Sequence, residues 1–483
     1  MYDKLVYELS KNTKVAYSLP KSLIKDYDFP TELKRNIPLD LPEISELDCV
    51  RHYTNLSLKN FGVDQGFYPL GSCTMKYNPK INEEIASLSS FKNIHPLQSE
   101  ASLQGIMEIY YETSKMLASL TGMSEFTFNP FAGAHGELTG LMIMKQYHLN
   151  RGDTKRTKVI VPDSAHGTNP ASSALCGFEV ITVESNSNGT VDVEKLKPLL
   201  DESVAGIMMT NPNTLGIFEK DVLEIAKLVH DNGSLLYYDG ANLNAILGVA
   251  KPALMGFDIM HINLHKTFST PHGGGGPGSG AVGVQDYLVD LLPNPRIDYV
   301  NGQYKFTSTS PLRVSNFYGN SNVVIKAWCY ILTLGRENIS KVAKYAVLNA
   351  NYIKESLKDD YKLPITNLCK HEVVFDGLKS EKASTLDVAK RLLDYGYHPP
   401  TIYFPLLFHQ ALMIEPTENE SKETLDEFIN CLHKIAQEAI LDPNILLESP
   451  HTTVLKRIDD VRAARFPILT YKDYLANIDK FNN

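Results

Sequence analysis

Short apolar runs alternate with helix-like segments between residues 100 and 290. Four runs are bounded by turn-forming residues and are typical of buried strands: 158–162, 205–210, 234–239 and 258–264. Between the second and third runs, residues 221–233 carry apolar side chains at helical spacing and end in Asn-Gly. Strands that alternate with helices predict right-handed crossovers, so we expect an α/β fold with a large, mostly parallel sheet.

The pattern changes on both sides of this region. Residues 1–75 are rich in Pro, Asn and Asp with short apolar runs, and we interpret them as an N-terminal arm. From residue 335 the order is helix, strand, helix: Ser384-x-x-Asp387 fits a helix start, and residues 421–442 carry an apolar helical face. These features predict a large domain at 76–334 and a smaller C-terminal α+β domain at 335–483.

Composition narrows the class of protein. Apolar residues make up 43% and charged residues 21%, as in ordinary globular proteins. The net charge of −9 and the lack of a long basic run argue against nucleic acid as a partner. The N-terminus has no apolar signal core and no window is apolar enough to span a bilayer, so we expect no membrane association. Six scattered cysteines indicate reduced thiols in a cytoplasmic protein and make a zinc site improbable.

Polar residues follow the predicted strands where each strand ends. Asp163 to His166 follow the first strand, Asn211 to Thr214 the second, Asp239 ends the third, and His265-Lys266 follow the fourth. Ligands bind at the carboxyl ends of the strands in open parallel sheets. We therefore expect an imidazole, an amide-rich loop, a carboxylate and a lysine to meet at one edge.

That set is what a pyridoxal phosphate site requires. The amine of Lys266 would form a Schiff base with the aldehyde, and Asp239 would keep the pyridine nitrogen protonated. Residues 133–136 form a turn before a helix predicted at 137–147, where backbone N–H groups and the helix dipole favour a phosphate. His166 is a candidate for stacking on the cofactor ring.

Each of these residues also has a plainer interpretation. A lysine after a strand is usually solvated, Asp239 could cap a helix, and His166 could be an ordinary loop histidine. The glycines at 273–276 follow Lys266-Thr267, whereas a P-loop has its lysine after the glycines, and a Rossmann motif would follow an early strand. We expect the glycine run to allow close backbone approach beside the lysine and to adopt positive φ values. Only the order and spacing of the residues favour the cofactor site.

Long motifs resemble the glycine cleavage system P-protein family. They include FYPLGSCTMKYNPKINE (67–83), PFAGAHGELTG (130–140), PDSAHGTNPASSA (162–174), TNPNTLGIFE (210–219), YDGANLNA (238–245), NLHKTFSTPHGGGGPGSG (263–280) and ALMIEPTENESKETLD (411–426). The resemblance covers nearly the whole chain. A 483-residue chain that carries the lysine is similar to subunit 2 of the form in which the protein is split in two.

The resemblance implies the type I fold of pyridoxal-phosphate-dependent transferases, similar to aspartate aminotransferase. It implies Lys266 as the Schiff-base lysine, with Asp239 and His166 in the roles given above. Further cofactor contacts would come from Gly133, Ala134, His135, Gly136, Thr168, Asn211, Ala241 and His265.

The implied activity is glycine dehydrogenase (aminomethyl-transferring). Glycine would lose its carboxylate as CO2, and its aminomethyl group would pass to the lipoyl-lysine of H-protein. The implied assembly is an α2β2 heterotetramer with subunit 1.

Other functions remain open on sequence alone. An aminotransferase or a cysteine desulfurase of the same fold is one alternative; an aminotransferase needs an arginine for the substrate carboxylate, with Arg313 as the nearest candidate. A scaffold subunit without activity is another, which the full motif around Lys266 disfavours. We interpret Cys73 as a buried thiol in a loop that closes over the site. His272 is a polar candidate near the cofactor, and His371-Glu372 could face the site from the small domain.

Overall fold

The computed structural model describes residues 4–17, 20–25, 27–37, 39–274 and 278–478. The chain divides into two compact units. One comprises residues 67–454 and the other the residues up to 66 together with those from 455 onward.

The strands of residues 67–454 form separate sheets. They are β1 (Glu125–Thr127), β2 (Lys158–Pro162), β3 (Glu179–Val183), β4 (Val204–Thr210), β5 (Leu235–Gly240), β6 (Ile259–Asn263), β7 (Gly280–Val284), β8 (Arg296–Val300), β9 (Gln303–Thr307), β10 (Val373–Asp376), β11 (Thr401–Ile402) and β12 (Ala411–Ile414). Within the described residues, β1 to β7 form one sheet in the order β1-β7-β6-β5-β4-β2-β3. Strand β7 pairs antiparallel with β1 and β6, and the other pairs are parallel.

The helices of the described residues, numbered in chain order, are α1 (Glu46–Ser57), α2 (Lys80–Ala86), α3 (Ser89–Lys92), α4 (Glu100–Thr121), α5 (Gly133–Asn150), α6 (Thr168–Leu175), α7 (Val193–Leu196), α8 (Val222–Asp231), α9 (Ser321–Leu357), α10 (Thr385–Asp394), α11 (Lys422–Leu441), α12 (Asn444–Leu447), α13 (Asp460–Arg465) and α14 (Tyr471–Ala476). Helix α9 is interrupted at Gly335, whose φ is 66°. None of the helices in the described ranges is both long and apolar enough to cross a bilayer.

The large sheet is buried on both faces. Along β5 the side chains alternate: Leu236 and Tyr238 pack in one apolar core, and Leu235 and Tyr237 in another. This alternation is the two-residue period of a strand with a layer on each side. The predicted α/β fold with a mostly parallel sheet is therefore confirmed, and the four predicted strands are β2, β4, β5 and β6.

A third apolar core lies around the antiparallel sheet in the order β10-β12-β11. Helix α11 contributes Leu425, Phe428 and Leu432, as its apolar spacing predicts. Helix α10 begins with the predicted capping box, in which Ser384 and Asp387 each accept a hydrogen bond from the other's backbone N–H. The C-terminal part thus has the α+β character that the sequence indicates.

The unit formed by residues 4–66 and 455–478 has little regular structure. Its described residues contain α1, α13 and α14 and two 3-10 helices, Val6–Leu9 and Thr31–Leu33. Ser45 caps α1, because its hydroxyl accepts from the N–H of Asp48. Large apolar side chains such as Leu23 are exposed here.

Candidate active site

A cavity of about 170 Å³ lies at the carboxyl ends of β4, β5 and β6. It contains the three residues predicted to be catalytic, Lys266, Asp239 and His166, together with four of the predicted cofactor contacts. The complete lining is Ser72, Gly133, Ala134, Glu137, His166, Thr168, Thr210, Pro212, Asn213, Thr214, Asp239, Ala241, Asn242, Asn263, Lys266, His371 and Glu372. The carboxyl ends of these strands therefore border a cavity that contains one amine and several carboxyl groups.

Lys266 lies in a tight turn after β6. Its N–H donates to the carbonyl of Asn263 at 3.0 Å, and its own carbonyl accepts from the N–H of Ser269 at 3.1 Å. The Nζ atom donates to the carbonyl of Ser72 at 2.9 Å. The lysine thus extends from the sheet edge to a loop that precedes the first helix of the unit.

Asp239 is the penultimate residue of β5 and is buried in the cavity lining. Its carboxylate accepts from Asn169 Nδ2 at 2.8 Å and from the N–H of Ala241 at 3.0 Å. Burial opposes ionisation, but His261, these two donors and Lys266 together hold the pKa of Asp239 below its usual range. Asp239 therefore offers a stable negative charge to a group in the cavity.

His261 is a site residue that sequence reasoning missed. It belongs to β6 and is fully buried, with Nε2 at 3.3 Å from Oδ1 of Asp239. Its Nδ1 lies 2.9 Å from the hydroxyl of Tyr237. The signal in the sequence was a single histidine within the apolar run at 258–264, a polar side chain in a strand that is buried on both faces.

His166 lies on the wall of the cavity, as predicted. Its Nδ1 contacts the hydroxyl of Thr168 at 2.8 Å, and its ring is 5.5 Å from that of Phe404. The same threonine hydroxyl donates to Glu137 at 2.7 Å, and Ser172 donates to the other oxygen of Glu137 at 2.8 Å. Glu137 is another missed residue of the cavity, although it directly follows the predicted phosphate turn.

The predicted phosphate turn is the first turn of a helix. Helix α5 begins at Gly133, four residues earlier than predicted, and Gly133 and Ala134 line the cavity. The backbone is crowded here, since a Cβ on Gly133 would meet the amide of Asn263 at 2.5 Å. The N–H groups of a first helical turn have no partners inside the helix, so this end of α5 can bind an anion.

Three buried polar atoms of lining residues have no hydrogen-bond partner in the described residues. They are the hydroxyl of Thr210, at the end of β4, the carbonyl oxygen of the Asn263 side chain and Nδ1 of His371. Buried polar groups are hydrogen-bonded in nearly all proteins. These atoms can therefore form hydrogen bonds with a polar group bound in the cavity.

Asn211, predicted as a cofactor contact, does not line the cavity in the described residues. Its side chain is fully buried; its oxygen accepts from the N–H of Glu219 at 2.9 Å and its nitrogen contacts the sulfur of Met255. The amide lies in the core because the chain turns after β4, and the next residues, Pro212 and Asn213, line the cavity instead.

His135 and Gly136 are also absent from the lining among the described residues. The Nδ1 atom of His135 accepts from the N–H of Phe131, and the carbonyl of Gly136 accepts from Tyr237. Successive helical residues point about 100° apart, so only part of the first turn of α5 faces the cavity. These two residues support the helix end and do not line the cavity.

His265 is the fourth prediction that the structure does not bring to the cavity. Its ring lies 5.2 Å from that of His272, and its Nδ1 accepts from the N–H of Ser279 at 3.4 Å. Burial lowers the pKa of His265 to about 3 and that of His272 to about 4, and the charge of Lys266 adds to both shifts. Both rings are neutral neighbours of the lysine.

The first two glycines of the run beside Lys266 adopt the expected positive φ values. Gly273 and Gly274 adopt φ values of 61° and 65°, while a Cβ on Gly274 would meet nothing within 4 Å. A left-handed backbone, not close approach, favours glycine at residue 274. Close approach occurs later, because a Cβ on Gly280 would meet the carbonyl of Ala132 at 2.2 Å. Gly275 and Gly276 lie outside the described residues.

A loop at 71–76 covers the cavity. Besides the contact of Ser72 with Lys266, Thr74 donates from its N–H and its hydroxyl to Glu415, at 2.9 and 2.8 Å. Cys73, in the same loop, is a free thiol whose pKa is raised by burial, which disfavours the reactive thiolate. His371, predicted as a possible site residue, lines the cavity, and burial with the charge of Lys266 lowers its pKa to about 3.

No arginine is among the residues of the described chain that line this cavity, and Arg313 is exposed. A substrate carboxylate bound here by this chain alone would therefore not meet the guanidinium that an aminotransferase uses.

Comparison with known sequences gives long matches. Residues 14–298 match the family described as glycine cleavage system P-protein, and residues 342–449 match glycine dehydrogenase, C-terminal domain. A protein of Caldanaerobacter subterraneus subsp. tengcongensis, named probable glycine dehydrogenase (decarboxylating) subunit 2, is 57% identical over 97% of this chain and 99% of its own length. A protein of the same name from Listeria monocytogenes serotype 4a is 54% identical over 97% and 98%.

Solved structures with the same fold are more distant in sequence. Glycine decarboxylase (P-protein) of the glycine cleavage system, in inhibitor-bound form, aligns with a TM-score of 0.72 at 21% identity, over 84% of this chain and 93% of its own. Glutamate decarboxylase of Lactobacillus brevis aligns with a TM-score of 0.65 at 14% identity, over 88% and 96%. The chain has the predicted type I fold of pyridoxal-phosphate-dependent transferases.

Proposed function

This chain belongs to the glycine cleavage system P-protein family, and on that premise we propose that its cavity at Lys266 is where glycine is decarboxylated. The observation that carries the proposal is that Lys266, Asp239 and the N-terminus of α5 line one cavity. An amine, a buried carboxylate and a helix N-terminus are the groups that an aldehyde, a pyridine nitrogen and a phosphate require. An aminotransferase or a cysteine desulfurase is not favoured, because the family match is to the P-protein.

The residues fit pyridoxal 5'-phosphate as the cofactor. Lys266 would hold the aldehyde carbon, Asp239 the pyridine nitrogen, and the first turn of α5 the phosphate. The hydroxyl of Thr210 and the amide oxygen of Asn263, which have no partner in the described residues, would gain one. When bound, the cofactor supplies an electrophilic carbon for amines and a protonated ring that withdraws electrons from the substrate.

The residues of the chain have separate tasks in this reaction. Asp239 keeps a proton on the ring nitrogen, because its depressed pKa makes it a stable anion. His166 would lie against the ring and restrict its tilt. The loop at 71–76 excludes water above Lys266, which disfavours protonation of the carbon that has lost its carboxylate.

We further propose that the aminomethyl group passes to lipoyl-lysine of H-protein. The C–carboxylate bond breaks to release CO2, a C–S bond forms, and the lipoyl disulfide is reduced to one free thiol. The curated relatives are named subunit 2, which supports a partner subunit 1 in an α2β2 assembly. We place this assembly in the cytoplasm, consistent with free thiols at all six cysteines.

The function is tested by Lys266→Ala and Lys266→Arg. Purified protein with pyridoxal phosphate should absorb at roughly 410–430 nm, and both variants should lack this band. The arginine variant retains the charge but does not condense with the aldehyde. Exchange of carbon between glycine and bicarbonate, with subunit 1 and lipoylated H-protein present, should be lost in both. The control is Lys251→Ala, at an exposed lysine, which should keep both the visible absorption band and the glycine–bicarbonate exchange. A band that persists without Lys266 would disprove the proposal.

A further inference from the structure

Two buried carboxyl groups, those of Glu372 and Glu415, lie beside the cavity without a task in the mechanism above. Glu372 lines the cavity and Glu415 lies behind it, and their side chains are 2% and 0% exposed. With the ring of His371, their polar atoms lie within 4.8 Å of one another. Two ionised carboxylates this close in a buried site repel strongly, so one of them keeps its proton.

Hydrogen bonds decide which of the two is ionised. Glu415 accepts from the N–H and the hydroxyl of Thr74 and from Asn242 Nδ2, at 2.9, 2.8 and 2.7 Å. Within the described part of the chain, Glu372 accepts one hydrogen bond, from the N–H of Ser72 at 2.9 Å. Donors stabilise a carboxylate, so Glu415 carries the charge. Burial and the charge of Glu415 then hold the pKa of Glu372 well above its usual range.

The position of Glu372 relates it directly to Lys266. The lysine amine donates to the carbonyl of Ser72 and the N–H of Ser72 donates to Glu372, so amine and carboxyl lie on either side of one residue. A glycine whose nitrogen takes the place of the lysine amine carries its carboxylate two bonds away. Glu372 lines the cavity that would hold this carboxylate, and no arginine of the described lining competes for it.

We propose that Glu372, in its protonated form, donates a hydrogen bond to the carboxylate of glycine; this rests on the proposed function. Lysine or arginine at this place would stabilise the charged carboxylate and oppose its loss as neutral CO2. A neutral donor orients the carboxylate with a weaker bond in the ground state, so less binding energy is lost when the C–C bond breaks. Glu372 would thus replace the arginine that related enzymes need when they retain the carboxylate.

The test compares Glu372→Gln with Glu372→Met in the protein loaded with pyridoxal phosphate, together with subunit 1. Dissociation constants are measured for glycine and for methylamine, which lacks the carboxylate, from the change in visible absorption. Gln keeps a neutral donor, so affinity for both amines should stay within about threefold of wild type. Met keeps the volume without the donor, so affinity for glycine alone should fall about tenfold. Glu420→Gln, at a part-buried acid that does not line the cavity, should change neither constant.

A second test does not need the Met variant: both dissociation constants are measured over a range of pH in wild type and in Glu372→Gln. Glu372 faces Lys266, Glu415, His371 and Cys73. We divide the dissociation constant of methylamine by that of glycine. Groups whose titration affects the binding of both amines equally do not change this ratio. In wild type this ratio should fall as pH rises and Glu372 loses its proton, and in Glu372→Gln it should stay constant.

Two results would overturn the inference. One is a Glu372→Gln variant whose affinity for glycine falls as far as that of Glu372→Met. In that case the ionised form of Glu372, and not the protonated form, would be the one that acts on glycine. The other is a Glu372→Met variant whose affinity for methylamine falls as much as its affinity for glycine. That result would indicate that Glu372 has only a structural role. Failure of the proposed function looks different: wild type would then show no visible band or no response to glycine.

Discussion

The Nε2 atom of His261 lies 3.3 Å from Oδ1 of Asp239, and both side chains are buried between the layers that cover the sheet. The other ring nitrogen contacts the hydroxyl of Tyr237 at 2.9 Å, and that hydroxyl donates to the carbonyl of Gly136 at 3.3 Å. Gly136 belongs to the first turn of α5. The carboxylate proposed to hold the ring nitrogen is therefore connected through side chains to the helix proposed to hold the phosphate.

Replacing His261 by Phe should move the acid limit of activity to higher pH. The pKa of Asp239 is depressed in the folded protein, so its charge is lost as pH falls through that low value. Without His261 the pKa rises, and the charge is lost at a higher pH. The rate of glycine–bicarbonate exchange against pH measures this, with a decrease of about tenfold expected near neutrality. The exposed His409→Phe should leave the profile unchanged, and an unmoved acid limit in His261→Phe would contradict the role.

Lys76 forms a buried ion pair that fixes the loop over the cavity. Its Nζ donates to Glu418 at 2.6 Å, and the two side chains are 1% and 8% exposed. The amine also contacts Asn244 and the hydroxyl of Tyr330, each at 3.1 Å. Lys76→Met leaves a buried charge without its partner, so the free energy of unfolding in urea should fall by about 3–5 kcal/mol.

The double variant Lys76→Met/Glu418→Leu distinguishes the effect of an unpaired buried charge from the effect of altered packing. Removing both charges should restore most of the lost stability, because no unpaired charge then remains buried. Lys155, whose pair with Glu202 is exposed, provides the control, and Lys155→Met should not change the urea midpoint measurably. A double variant no more stable than Lys76→Met would show that packing, not charge, is the important contribution.

Gly280→Ala should weaken cofactor binding. The added methyl group would lie 2.2 Å from the carbonyl of Ala132, so the start of α5 has to move away from β7. A displaced helix N-terminus loses its alignment with the phosphate, and we expect the dissociation constant of pyridoxal phosphate to rise about tenfold or more. Equilibrium dialysis measures it. Gly105→Ala, at an exposed position of α4 where a Cβ meets nothing within 4 Å, should bind the cofactor normally.

Stability should decrease below neutral pH partly because of His371. Its pKa is about 3 in the folded protein, since it is buried beside Lys266, whereas an unfolded histidine takes up a proton near pH 6.5. Between these values the unfolded state binds more protons, so stability falls with falling pH, by about 1.4 kcal/mol per pH unit for this residue.

The histidine contribution is isolated by comparing variants. His371→Asn should reduce the dependence of the urea midpoint on pH between about 6 and 5, where few carboxyl groups titrate. The exposed His409→Asn should keep the wild-type dependence. If His371→Asn also keeps it, the imidazole is not neutral in the folded protein.

Much of the large sheet was predictable because its strands are buried on both faces. Such strands appear as uninterrupted apolar runs, and the predicted run at 158–162 coincides with β2. Lys266, Asp239 and His166 were predictable as neighbours because each lies at or just after the carboxyl end of a strand, and these ends face the same edge. Asn211 was predicted by the same rule, but its side chain lies in the core. The order of the strands does not determine how the chain turns after the last residue of a strand.

The sequence by itself determined the α/β order and the family, and it predicted the roles proposed for Lys266 and Asp239. These depend on local periodicity and on motifs that are contiguous in the chain. Only the tertiary structure decided which groups surround them. Ser72 and Glu372 are 300 positions apart and meet in one hydrogen bond, and His261 meets Asp239 across two neighbouring strands. Such contacts arise when distant segments bury their polar groups together, and spacing along the chain does not encode them.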